Sequence, residues 1–312
     1  MPKTVILSTA RTPFGKMGGA LAPLGAPELG GKAIGSALER ASVEPGQVES
    51  VVYGQVLQAG QGQIPSRQAQ IAGGIPKEVP SETVNKVCAS GMRSVGLLDQ
   101  AIRAGDLGVG VGGGMESMSN APYLLPGARF GFRMGDVTAV DAMTHDGLTN
   151  PFTGKQMIAE ASDVGNELEI TRPDMDRFAT RSHQLAAKAT DEGRLADEIV
   201  AVTVKSRKAE TTVEVDEAIR PDTNIETLAK LKAVGGDDAT HTAGNAPGVN
   251  DGAAAVVVAS DEWASANGKE PLGTVIGYGS IADDYAYLAR TPAKAARLAL
   301  EKAGRTAADV DL

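Results

Sequence analysis

Seven consecutive apolar residues, Ala253 to Ala259, lie between Asp251-Gly252 and Ser260-Asp261. The run carries no polar side chain on either face, so a strand built from it must be covered on both. It is far shorter than the ~20 residues a membrane-spanning helix needs. A sheet covered on both faces calls for helices between its strands, and the chain supplies them. Val5-Ile6-Leu7 reads as a first strand, ended by the turn around Pro13 and Gly15. From Glu28 to Ala41, the residues Leu29, Ala33, Ile34, Ala37, Leu38 and Ala41 fall on one helical face. Val51-Val52-Tyr53 reads as a second strand. Thr83 to Val87 reads as a third, leading directly into a helix from about Ala89 to Ala104, and Leu107 to Val111 as a fourth. Aromatic residues make up only 4% of the chain while glycines number 38, which implies a core of Ala, Val and Leu with closely approaching backbones.

The pattern changes after Gly114. Pro122, Pro126 and Pro151 break any long helix between 115 and 155. A helix follows from Pro173 to Glu192, with Thr171 as N-cap, Asp174 as first-turn charge and Gly193 as its stop. Residues 115–249 therefore read as a large insertion before the sheet resumes. There is also an internal echo. Ala37-Leu38-Glu39-Arg40-Ala41, followed by Val48-Glu49, returns as Ala299-Leu300-Glu301-Lys302-Ala303, followed by Val310-Asp311 at the same spacing. Thr291 is expected to cap the second helix, with Pro292 in its first turn and Gly304 after it. Two readings stand: a chance match between helices rich in Ala, Leu and Glu, or a duplicated unit whose second copy stops where its strand should begin.

A net charge of −9 argues against general affinity for nucleic acid or anionic lipid. It leaves room for a small anionic ligand held by a local basic patch or by helix N-termini. The single cysteine rules out an internal disulfide and points to the reducing cytoplasm. The apolar stretch at Val5–Leu7 is too short for a signal peptide, and no membrane partner is expected.

That cysteine, Cys88, sits at the strand-to-helix junction Val84-Asn85-Lys86-Val87-Cys88-Ala89-Ser90-Gly91. A helix start offers unpaired N–H groups and a positive dipole end, conditions that favour a thiolate, and Lys86 or Arg93 would add to them. Ala89, Ser90 and Gly91 are small enough to leave a substrate carbonyl room. On position alone two readings stand: an activated nucleophile, or an inert buried cysteine. The three histidines, His145, His183 and His241, each read as structural, and none has metal-ligand spacing with another donor, so no metal is expected. The glycines from Gly108 to Gly114 contain a Gly-x-Gly-x-x-Gly spacing but open no helix. A packed strand end fits them better than a dinucleotide site.

Taken together, five ordered motifs resemble the thiolase family across essentially the whole chain. They are Arg11-Thr12-Pro13-Phe14-Gly15, Gly54-Gln55-Val56-Leu57-Gln58-Ala59-Gly60 with Arg67-Gln68-Ala69, and Val87-Cys88-Ala89-Ser90-Gly91-Met92-Arg93. The last two are Gly112-Gly113-Gly114-Met115-Glu116-Ser117-Met118-Ser119 and Thr242-Ala243-Gly244-Asn245 through Asn250-Asp251-Gly252-Ala253-Ala254-Ala255. The resemblance implies a layered α/β fold of two βαβαβαββ halves with an inserted loop domain. Residues 1–114 plus 250–268 would form the first half, 115–249 the inserted coenzyme A-binding domain, and 269–312 the start of an incomplete second half. It implies acyl transfer between acyl-CoA units through an acyl-Cys88 thioester, with oxyanion stabilisation at each carbonyl. Coenzyme A is then part of the substrate and no cofactor is expected.

Carried over residue by residue, Arg220 would stack near the adenine and Thr227 would contact the nucleotide. Leu148, Ala243 and Gly244 would line the pantetheine channel, with Met157 near the acyl end. Met134 would reach across the interface of a homodimer or dimer of dimers. Gln156 and Pro247 depart from the family's short-chain pattern, where a histidine and a serine are frequent. The family's activating histidine and second catalytic cysteine fall beyond Leu312, so these 312 residues are expected to show little or no turnover. A ketosynthase relative shares the fold and the cysteine, but Thr242-Ala243-Gly244-Asn245 and Met115-Glu116-Ser117-Met118 favour thiolase. A coenzyme A-binding scaffold without catalysis is the alternative from another class, and a dinucleotide oxidoreductase the third.

Overall fold

The run from Ala253 to Ala259 forms the middle of a mixed sheet. In the computed structural model, which describes residues 2–205, 210–236 and 238–312, five strands make up the body of that sheet. They are β1 (Thr4–Arg11), β2 (Ser50–Gly54), β3 (Ser81–Val84), β4 (Val109–Ser117) and β5 (Asn250–Ser260). Their spatial order is β1-β5-β4-β2-β3; Gly273–Thr274 pairs outside β1, and Gly15–Lys16 pairs with the start of β5. The central strand β5 runs antiparallel to β1 and β4, whereas β2 is parallel to both β4 and β3.

Period-2 alternation then explains why the Ala253–Ala259 run of β5 holds no polar residue. Ala253, Ala255, Val257 and Ala259 join the main core with Leu29, Ala33, Ile34 and Ala37 of helix α1 (Ala26–Ala41). Val258 points the other way, into a second cluster with Leu98 and Ile102 of a helix on the opposite face (Ser90–Ala104). Each fully buried Val or Leu here contributes roughly 1.5–3 kcal/mol relative to exposure. A further helix, α2 (Pro65–Ala72), lies between β2 and β3 in the chain, so the Ser90–Ala104 helix is α3. Tyr53, fully buried, donates its hydroxyl to Ala254 C=O at 2.7 Å, and burial pushes its phenol well above the usual range.

Two compact units are present. One comprises Met1–Gly147, Leu195–Ala218 and Val249–Val275; the other comprises Leu148–Arg194, Ile219–Gly248 and Ile276–Leu312. The first holds the sheet. In it the Arg11 guanidinium bonds Glu198 Oε1 at 2.8 Å and Asp216 Oδ1 at 2.7 Å, and Asp216 also accepts the Phe14 N–H, so the opening Arg-Thr-Pro-Phe motif is a structural clamp. The second unit is built on α4 (Met157–Glu167), α5 (Arg172–Asp191), a short helix at Ile225–Leu228, and a final helix at Thr291–Lys302. The α5 cap is as expected: Thr171 accepts from the Asp174 N–H, Asp174 reaches back to the Thr171 N–H, and Gly193 follows at φ +72°.

Two expectations need correction. The strand beginning at Leu107 starts at Val109 instead and runs on to Ser117, because Met115 and Ser117 continue the buried face of β4. Arg290, not Thr291, precedes the last helix as its cap. A 3-10 turn at Leu288–Arg290 already curls the chain, so no extended residue is left for a threonine cap; the Thr291 hydroxyl donates instead to Leu288 C=O at 2.8 Å. The internal echo has a conformational counterpart. A 3-10 turn follows α1 at Pro45–Gln47, and another follows the last helix at Ala307–Asp309, at equal spacing from Ala41 and Ala303. Among the described residues no helix is long and apolar enough to cross a membrane.

Candidate active site

The third strand stops at Val84, three residues short of its expected end, because Val87 adopts φ +50°. That left-handed conformation is costly for a β-branched residue, roughly 1–3 kcal/mol, and persists only where surrounding contacts enforce it. Two side chains do so. Asn85 Oδ1 accepts the Val87 N–H at 2.9 Å, while Asn85 Nδ2 donates to Val56 C=O at 3.2 Å. Ser90 Oγ accepts the Lys86 N–H at 2.8 Å and donates to Val87 C=O at 2.6 Å. The resulting tight turn sets the exposed Cys88 immediately before Ala89, the cap residue of α3. The inert buried reading of this cysteine does not survive its exposure.

Ala89 is exposed, but Ser90 is buried beneath the turn. The floor under α3 is glycine for steric reasons. A Cβ on Gly54 would lie 2.6 Å from Ser90 C, too close for any side chain, whereas one on Gly91 would meet Gly113 at an ordinary 3.6 Å. Ser94 Oγ accepts the Gly113 N–H at 2.7 Å, tying the glycine-rich strand to the helix that follows Cys88. The glycines from Gly108 to Gly114 are thus a packed strand. Ser90→Ala removes both turn bonds and is expected to cost about 1–3 kcal/mol by denaturant titration. Retention of parental stability would show that Val87 is held by other contacts.

The second unit brings together four of the residues expected to meet coenzyme A. Arg220, exposed, donates from Nη2 to Ala243 C=O at 3.4 Å, and its N–H donates to His183 Nδ1 at 3.2 Å. Burial first, and the neighbouring Arg220 second, hold His183 below the usual histidine range. Gly244 is packed: a Cβ there would lie 2.5 Å from Leu228 and from Leu231. Leu228 ends the short helix that carries Thr227, whose Oγ1 donates to Asn224 C=O at 2.9 Å. Leu148 and Met157 flank a bridge between Thr149 and Gln156, at the start of α4. On α4, Ser162 Oγ lies 2.8 Å from His241 Nδ1, which ties that helix to the loop bearing Ala243; burial lowers the His241 pKa.

Sequence reasoning passed over the groups that hold this loop in place. Asp176, buried on α5, accepts from Arg172 Nε at 2.8 Å and from Asn245 Nδ2 at 2.9 Å. Asn245 Oδ1 in turn accepts the Thr242 N–H at 2.7 Å. An acid four residues after an arginine on one helix was the available signal, but that spacing is far commoner on solvated helix faces. His145 is exposed, and its Nδ1 lies 2.6 Å from the carboxylate of its neighbour Asp146. Among the described residues no group of three His, Cys, Asp or Glu side chains is placed to hold a metal ion.

Residues 4–262 match the family described as "Thiolase, N-terminal domain". The chain belongs to the thiolase family. It is 45% identical over 313 residues to an acetyl-CoA acetyltransferase of Cupriavidus necator, covering 100% of this chain and 80% of that protein. A Chromobacterium violaceum acetyl-CoA acetyltransferase is 44% identical over 311 residues, with 99% and 79% covered. Among solved structures, acetyl-CoA acetyltransferase from Syntrophomonas wolfei superposes with a TM-score of 0.97 at 38% identity, covering 100% of this chain and 78% of that one. The mixed α/β sheet is therefore that of a thiolase.

Proposed function

We propose that this protein is a thiolase-type acyltransferase acting on acyl-CoA, with Cys88 as the residue that carries the acyl group. The observation that carries the reading is the exposed Cys88 on an enforced left-handed turn at the head of α3, within a chain 45% identical to a named acetyl-CoA acetyltransferase. From acetyl-CoA, Cys88 Sγ attacks the thioester carbonyl, the bond to the coenzyme A sulfur breaks, and an acetyl thioester remains on the protein. From a 3-oxoacyl-CoA the same sulfur attacks the ketone, the carbon–carbon bond breaks, and acetyl-CoA leaves as its enolate to be protonated. Both steps place negative charge on a carbonyl oxygen, which needs N–H donors.

Coenzyme A would be met by Arg220 and Thr227 at the nucleotide and by Leu148, Ala243 and Gly244 along the pantetheine, with Met157 near the acyl group. Met134, 97% exposed, would be covered by a second copy in a homodimer or dimer of dimers. A cytoplasmic location suits a lone thiol that must stay reduced. The 312 residues contain no second cysteine to move an α-proton, so acylation of Cys88 is expected while complete turnover is not. Acetoacetyl-CoA cleavage by the purified chain tests this directly: a rate near that of an intact thiolase overturns the half-reaction reading. Coenzyme A binding without acylation would instead favour a non-catalytic scaffold.

A further inference from the structure

We propose that Glu116 is a positioning residue for Cys88, acting through the backbone of Val56 and Leu57 and through Asn85. This rests on the reading of Cys88 as the nucleophile. Glu116 lies on β4, next to the glycine-rich stretch, and its carboxylate accepts two consecutive backbone N–H groups, Val56 at 2.9 Å and Leu57 at 3.1 Å. Those two residues follow β2 and belong to no helix or strand, so nothing in a regular ladder fixes them. The same Val56 offers its C=O to Asn85 Nδ2 at 3.2 Å, and Asn85 Oδ1 holds the Val87 N–H at 2.9 Å. A continuous line of hydrogen bonds thus runs from a half-buried carboxylate to the residue before Cys88.

Each link has a chemical reason. A carboxylate is the one side chain that accepts two parallel N–H groups without presenting a donor to either. Burial pushes Glu116 above the usual carboxylate range, and the Val56 and Leu57 N–H groups oppose that rise. The charged form inside the protein therefore depends on those two donors, and the loop depends on the carboxylate. Asn85 is suited to the last link because its amide donates to one backbone and accepts from another at once. Release of the loop frees Asn85, and Val87 then relaxes from its left-handed conformation and turns Cys88 away from the head of α3.

Because Cys88 is the single cysteine, alkylation of the full chain by iodoacetamide reports its presentation alone, without coenzyme A. Glu116→Gln keeps the shape but turns one acceptor into a donor, and Asn85→Ala cuts the next link. Each is expected to slow alkylation by roughly five- to tenfold, because a sulfur turned away from the head of α3 loses the helix-terminus stabilisation of its reactive thiolate. The double variant is expected to be no slower than the slower single one, because both act through one line of contacts. Independent slowing that multiplies in the double variant, or parental rates in both singles, overturns the proposal. Should Glu116→Gln not fold, Asn85→Ala at its exposed site carries the test by itself, and parental alkylation there is equally fatal. Acetyl-CoA separates the two readings: a parent chain that resists acetylation while showing the coupled alkylation pattern removes the acyl-transfer reading and supports the positioning role.

Discussion

Gly113→Ala is expected to destabilise the sheet-bearing unit by about 2–6 kcal/mol, a large share of an ordinary domain's stability. Gly113 takes φ +144°, a region L side chains rarely adopt, which alone costs roughly 1–3 kcal/mol. The added Cβ would stand 2.1 Å from the Ala254 carbonyl oxygen and 2.6 Å from the Tyr53 ring. Neither neighbour can yield. Ala254 is paired in the central strand, in the register that sets Gly114 opposite it, and Tyr53 is fully buried with its hydroxyl bonded to the same carbonyl. Overpacking of that kind costs a further 1–3 kcal/mol at about the usual scale. Urea titration of soluble protein measures the sum, and stability within about 1 kcal/mol of the parent would contradict the packing described here.

Asp176→Ala is expected to cost about 2–4 kcal/mol in the second unit and to loosen the loop at Thr242–Asn245. Asp176 is buried and compensates both Arg172 and the Asn245 amide, so its removal leaves two groups without their acceptor. The figure stays below that of a wholly buried pair because Arg172 keeps its bonds to Leu228 C=O at 2.7 Å and Leu231 C=O at 3.2 Å. Ala243 and Gly244 sit between the freed Asn245 and its anchor at Thr242, so coenzyme A affinity should fall with stability. Calorimetric titration of coenzyme A, with thermal unfolding alongside, checks both. Unchanged values for both would show that Asp176 does not organise this loop.

A pH-linked outcome concerns Glu116. Its pKa is raised in the folded chain, so the folded state binds that proton more tightly than the unfolded one. The stability it contributes is present below the ordinary glutamate range and is lost as pH rises through the raised value. Glu116→Gln should remove that part of the pH dependence, visible as a flatter stability profile across the acidic range.

Much of this was legible in the residues themselves. An apolar run without a polar face dictated the central strand, a 3.6-residue period located α1, and Thr171, Asp174 and Gly193 marked the ends of α5. Long-range consequences were not legible. Val87 looks like the end of a strand because valine favours one; only Asn85 and Ser90, acting together, force it into the opposite conformation and end β3 early. Ser90 looks like one of three small residues beside the sulfur; its role as the buried clamp of the turn shows only in its bonds to Lys86 and Val87. Glu116 and Asp176 read as ordinary acids because their importance lies in partners distant in the chain, Val56 and Asn245, which no local period announces. Gly113 was recognisable as packed, but its reason, the Ala254 carbonyl, required the register of β4 against β5.

Incubation of the purified chain with acetyl-CoA, followed by intact-mass measurement and peptide mapping, tests the account's centre most directly. One acetyl group per chain, located on Cys88 and absent from Cys88→Ala, is the result expected. Coenzyme A bound with no adduct on Cys88, or acetyl found equally on the Cys88→Ala chain, would contradict it.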